Sequence, residues 1–128
     1  MEATPTDSGD RGRRRRFTCD VARPGDATVV TLRGELDIIC ADAFKRRFSD
    51  ATEDEPAHVV LDVRDLTFID STGLALILGV NAMAQDEGFD LTIVSTARDA
   101  PNKIFRMTGM DRVLPLAEEL PDRASRAD

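Results

Sequence analysis

The residue types best suited to chemistry are concentrated in one segment, Leu61-Asp62-Val63-Arg64-Asp65-Leu66-Thr67-Phe68-Ile69-Asp70-Ser71-Thr72-Gly73-Leu74. An apolar run that reads as a buried strand ends there, a short loop follows, and a helix begins at Asp70 or Ser71. In open α/β sheets, ligand and switch sites lie outside the carboxyl ends of strands. A helix start adds unpaired N–H groups and a positive dipole end. Ser71 is therefore a hydroxyl at a place where an added phosphate is compatible with the fold. Gly73 removes bulk beside it, so a partner's active site can approach. The plainer role of Asp70 or Ser71 is a helix N-cap, worth about 1 kcal/mol. Gly34-Glu35-Leu36-Asp37 stands at a second strand-to-helix junction. The carboxyl ends of neighbouring parallel strands lie together, so Asp37 and Asp70 are expected to flank one site. Capping is the plainer role of Asp37 as well.

The elements that must position these residues follow from periodicity. Phe17 to Ala22 and Ala27 to Leu32 read as strands joined by the turn Arg23-Pro24-Gly25-Asp26, an antiparallel hairpin. Ala41, Phe44, Phe48 and Ala51 recur at helical spacing, with Lys45, Arg46 and Arg47 on a solvated basic face. His58 to Val63 is apolar enough for a strand buried on both faces. Leu74 to Ala84 is almost continuously apolar and too long for a strand, which predicts a largely buried helix ended by Gly88. Leu91 to Val94 is a further buried strand. Pro101 opens a short helix that Gly109 ends. Val113 to Leu116 reads as an edge strand, since Pro115 is tolerated only there. The order β-β-α-β-α-β-α-β predicts a single α/β domain, with a mostly parallel central sheet, an antiparallel N-terminal edge hairpin and helices packed on the sheet. The domain is expected over 17–117, between a disordered basic tail at 1–16 and a polar tail at 118–128.

Three motifs in register carry a resemblance. Gly34-Glu35-Leu36-Asp37, then Asp70-Ser71-Thr72-Gly73-Leu74, then Phe105 with Met107-Thr108-Gly109, resemble the STAS domain, most closely its bacterial anti-sigma factor antagonist branch. The resemblance spans about residues 17–117. It implies that Ser71 is the phosphorylated serine, supported by Asp37, Asp70, Thr72 and Gly73. It also implies two partners: an ATP-bound anti-sigma factor that is itself a serine kinase, and a metal-dependent serine phosphatase. Binding of the first frees a sigma factor and so regulates transcription indirectly. Phosphorylation ends that binding, and the phosphatase restores it.

The electrostatics agree with such a switch. A phosphoryl group adds about −1.5 to −2 charges beside Asp70. At ~6 Å and an effective dielectric of ~20, each unit charge pair is worth about 3 kcal/mol before screening. That is roughly a hundredfold in affinity.

The chain departs from the family pattern after Asp37. Polar residues and a Thr or Ser cap are usual there, whereas this chain has Ile38, Ile39 and Cys40. Either the isoleucines form an altered partner surface, or they pack beneath the first helix. The second is the simpler expectation. The usual C-terminal helix also looks truncated, since Pro121 and a polar tail follow Leu120.

Composition narrows the function classes. The 128 residues are 41% apolar and 32% charged, an ordinary soluble domain. No apolar run approaches the ~20 residues of a membrane span. The net charge is −7; residues 1–16 hold five arginines and three acids, which leaves 12 basic and 21 acidic residues in 17–128. An acidic body of this kind repels phosphate backbones, so no direct nucleic-acid binding is expected. One histidine and two cysteines, Cys19 and Cys40, offer no metal-ligand spacing and no disulfide framework. No metal, cofactor or catalytic residue is expected, and the location expected is cytoplasmic. Arg14-Arg15-Arg16-Phe17 is not an export signal, because charges occupy the place of an apolar segment.

Two other functions compete. Ser71 at a strand-to-helix turn is similar to a hydrolase nucleophile elbow. Ile69 stands where that motif needs glycine, however, and His58 lies at the wrong end of its strand. A STAS-like scaffold subunit of a signalling or transport complex, never phosphorylated at Ser71, is the remaining alternative. Cys19 is expected buried, His58 structural or exposed, and Met107 and Met110 core or rim.

Overall fold

The computed structural model describes residues 16–122. All of the basic arm but Arg16, and residues 123–128, lie outside them. The elements are β1 (Thr18–Ala22), β2 (Thr28–Leu36), α1 (Ala41–Ala51), β3 (His58–Ile69), α2 (Ser71–Glu87), β4 (Asp90–Val94), α3 (Ala100–Thr108), a 3-10 turn (Met110–Arg112) and β5 (Leu116–Ala117). The sheet order is β1-β2-β3-β4-β5, with β1 antiparallel to β2 and every other pair parallel. The single α/β domain with its antiparallel edge hairpin is as the sequence predicts.

This order steps across the sheet in one direction. Parallel crossovers are right-handed, so each returning helix lands on the same face. The main core joins strand residues Val30, Leu32, Val59, Leu61 and Ile93 to Phe44 and Phe48 of α1, Ile77 and Val80 of α2, and Phe105 of α3. Phe44 packs on Phe48 and, edge to face, on Phe17. The alternate strand residues Ala27, Val29, Val60 and Val94 form a smaller cluster against Leu120. Cys19 is buried in the main core. Its thiol pKa is raised, chiefly by desolvation; the nearby Arg47 acts in the opposite sense.

Several expectations need correction. β3 does not stop at Val63 but runs on to Ile69. Its pairing with β2 shifts register between Thr31 and Arg33 and again between Gly34 and Glu35. These irregularities break the period-two alternation, so the second half of the strand reads as a loop. The final strand is Leu116–Ala117 rather than Val113–Leu116. The N–H groups of Val113 and Leu114 both turn back to the Met110 carbonyl, at 3.0 and 2.9 Å. Pro115 offers only its carbonyl, which Ile93 N–H reaches at 2.9 Å. α2 is not largely buried: of its 17 residues only Gly73, Ile77, Val80 and Ala84 are. An apolar run without polar contrast does not reveal which side faces the sheet. Lys45, Arg46 and Arg47 are exposed as expected, and Arg47 in addition donates its Nε and Nη2 to the Cys19 carbonyl and ties α1 to β1. Met107 is 73% exposed rather than core or rim.

Candidate functional site

The parallel β2–β3 pair ends at the register partners Leu36 and Ile69. The Asp37 turn and the start of α2 leave from those two residues, so the two motifs meet at one end of the sheet. Asp70 is extended, with φ −109° and ψ −169°, and its Oδ1 accepts the Gly73 N–H at 2.9 Å. This is an N-cap bond to the third residue of the helix. Its own N–H points to the Leu36 carbonyl at 3.4 Å. Ser71 is the first residue of α2 and is exposed; Thr72 is half-buried and Gly73 buried.

Gly73 has a different role from the one expected. A Cβ built there would stand 2.4 Å from the Leu36 carbonyl oxygen and 2.8 Å from Ile69 Cγ1. The glycine admits the end of β2 rather than a partner. The Leu36 carbonyl is thus a structural centre of the site that residue types alone do not mark. The glycine at the third helical position is its only sequence signal in this chain.

Asp37 is 5% exposed, and its Oδ1 accepts the N–H groups of Ile39 at 3.0 Å and Cys40 at 3.4 Å. Cys40 precedes α1 without a side-chain cap bond, as its residue type suggests. Its Sγ instead accepts the Asp37 N–H at 3.4 Å and donates toward the Glu35 and Asp37 carbonyls at 3.4 and 3.5 Å. The thiol closes the turn on itself. Ile38 and Ile39 do not pack beneath α1; they are 71% and 75% exposed. The turn bonds leave their side chains pointing away from the core that Cys40 and Phe44 fill.

His58 cannot serve Ser71. It opens β3, whose 12 residues separate it from the start of α2 by roughly 35–40 Å at strand rise. It is buried, with Nε2 3.2 Å from Thr92 Oγ1. Further up β3, Asp62 holds Arg64 through Nε at 3.0 Å and Nη2 at 2.8 Å. Hydrogen bonding to that carboxylate keeps the guanidinium pKa above its usual value. Asp99 caps α3 through the Asn102 N–H at 2.8 Å and accepts Ser95 Oγ at 2.8 Å. Both groupings are saturated structural contacts away from Ser71.

The sequence model of the STAS domain matches residues 18–122. The chain belongs to the STAS domain family. Among its relatives, the anti-sigma F factor antagonist of Paenibacillus polymyxa is 27% identical over 89 residues, covering 69% of this chain and 75% of that one. The crystal structure of an anti-sigma factor antagonist from Mycobacterium paratuberculosis superposes with a TM-score of 0.74 at 24% identity, covering 84% of this chain and 91% of the other. The Bacillus cell fate determinant SpoIIAA in its phosphorylated form superposes at 0.57 with 23% identity, covering 81% and 93%. These two likenesses establish a shared fold. Within the STAS fold of this chain, the Asp37 turn and the Asp70–Gly73 helix start meet at one end of the sheet. No helix among the described residues is long and apolar enough to cross a membrane.

Proposed function

We propose that this STAS domain is an anti-sigma factor antagonist whose binding is switched off by phosphorylation of Ser71. Unphosphorylated, it binds an ATP-bound anti-sigma factor in the cytoplasm and so releases a sigma factor. The anti-sigma factor acts as serine kinase on Ser71, and a serine phosphatase reverses the modification. The observation that carries this reading is the placement of Ser71. Its residue is exposed at the first position of α2, while the residues around it, Asp70, Gly73 and Asp37, are locked in hydrogen bonds or close packing.

A phosphate at that position meets the positive end of a 17-residue helix, so the domain itself tolerates it. A partner seated against the same end meets two added negative charges beside Asp70. The switch therefore acts on the interface and leaves the fold alone. Family membership and the roles of the relatives point the same way. Intact-mass and site-mapping spectrometry of the protein from its own cells, with and without stress, tests the reading. One phosphoryl group on Ser71 whose occupancy changes with conditions is expected. A chain unmodified under every condition would favour a scaffold that does not switch.

A further inference from the structure

Ile38 and Ile39 are the two most exposed large apolar residues on the phosphosite end of the domain. Their turn is held by its own hydrogen bonds. The Asp37 carboxylate receives the N–H groups of Ile39 and Cys40, and the Cys40 thiol closes on the backbone of Glu35 and Asp37. Both side chains are β-branched and stiff at χ1. Little ordering is left to occur when they are covered, the condition under which an apolar contact contributes most to affinity.

Their position is equally specific. Ile38 and Ser71 each lie two residues beyond the register pair Leu36 and Ile69. Past Ser71, the outward side of α2 is exposed at Ala75, Gly79 and Ala82, and no charge occurs on it before Asp86. Acidic residues begin the two helices that leave this end of the sheet: Asp42 in the first turn of α1, ahead of Lys45 and Arg46, and Asp70 as the cap of α2. An apolar centre with an acidic border fits a surface of the opposite design.

We propose that Ile38 and Ile39 are the specificity-determining anchor for the protein partner, entering an apolar pocket with a basic rim on the anti-sigma factor kinase. This rests on the reading of Ser71 as the partner-facing switch. It also makes that switch sharper, since a phosphate beside a desolvating apolar anchor loses water as the pocket closes over it.

The test is a calorimetric titration of the purified, ATP-bound anti-sigma kinases of the source organism against the full chain and four variants. These are the double variant Ile38→Thr/Ile39→Thr, the phosphomimetic Ser71→Glu, the unmodifiable Ser71→Ala, and Met107→Thr as an exposed apolar control elsewhere. Threonine keeps the β-branch and the turn, and melting curves verify the fold. The expected result is binding by the native chain, Ser71→Ala and Met107→Thr. The double variant should bind about 30-fold or more weakly, as loss of a central anchor does, with a less negative heat-capacity change. Native-like binding by the double variant, with binding lost only in Ser71→Glu, would overturn the anchor and leave the switch standing. An equal loss in Met107→Thr would overturn the anchor's specificity. Failure of every kinase to bind the native chain would overturn both readings.

Discussion

The Leu36 carbonyl oxygen lies where a side chain on residue 73 would have to go: a Cβ there would stand 2.4 Å away. Backbone cannot yield as a flexible side-chain tip can. The start of α2 is therefore fitted against the end of β2, and Ser71 and the Asp37 turn share one foundation.

Replacing Gly73 by alanine consequently carries an overpacking penalty, although glycine-to-alanine is favourable in an open helix. Gly73→Ala should destabilise the domain by about 1–3 kcal/mol, measured by urea unfolding. Gly79→Ala is the control, because a Cβ at Gly79 meets nothing within 4 Å. It should stabilise by roughly 0.5–1 kcal/mol. Equal effects of the two substitutions would refute the close fit.

Asp70 makes the side-chain N-cap bond of α2, at 2.9 Å. Asp70→Ala should cost about 0.5–2 kcal/mol, while Asp70→Asn retains the accepting oxygen and most of the stability. If alanine and asparagine prove equally harmful in thermal melts, the carboxylate acts through its charge rather than through the cap.

How much of this was legible depended on contrast. α1 was readable as an amphipathic helix, because Phe44 and Phe48 stand among charged neighbours. Gly88 and Gly109 were readable as stops, and both adopt the left-handed conformation, with φ of 83° and 79°. The second half of β3 was hidden by its two register shifts. The outward side of α2 was hidden by the opposite problem, an apolar run in which Asn81 is the one polar residue between Leu74 and Ala84. Ile38 and Ile39 misled through their type: isoleucine is expected inside, and only the bonds of the Asp37 turn place both outside. The resemblance singles out Ser71, but what the start of its helix packs against, the carbonyl of Leu36, is backbone and carries no residue signature.

Cys19 gives the fold an alkaline limit. Burial is the leading cause that raises its thiol pKa above the ordinary value. Between the unfolded and folded pKa values the native state holds a proton that the unfolded chain has released, so stability falls as pH rises through that window. The contribution is complete below the unfolded value, about 8.5. Denaturant midpoints should therefore decline from pH 8 to 10 in the native chain, and less in Cys19→Ala after allowing for its lower stability at pH 7. Parallel decline in both chains would assign the effect to other groups.

The switch itself predicts a separation of stability from binding. Ser71 is exposed at the first turn of α2, and that turn contains no acidic residue. A carboxylate placed there interacts favourably with the helix dipole, by about 0.3–1 kcal/mol at low salt. Ser71→Glu should therefore melt at or slightly above the native temperature, with the gain shrinking as salt screens it. Ser71→Ala should be within about 0.5 kcal/mol of native, as for exposed sites generally. Toward the anti-sigma factor the order reverses: alanine keeps affinity, and glutamate loses about tenfold to a hundredfold through one charge added to the surface that the partner covers. A glutamate variant that binds poorly because it is unfolded would show a lowered melting temperature. The mechanism requires the opposite pairing, a fully folded domain that no longer binds.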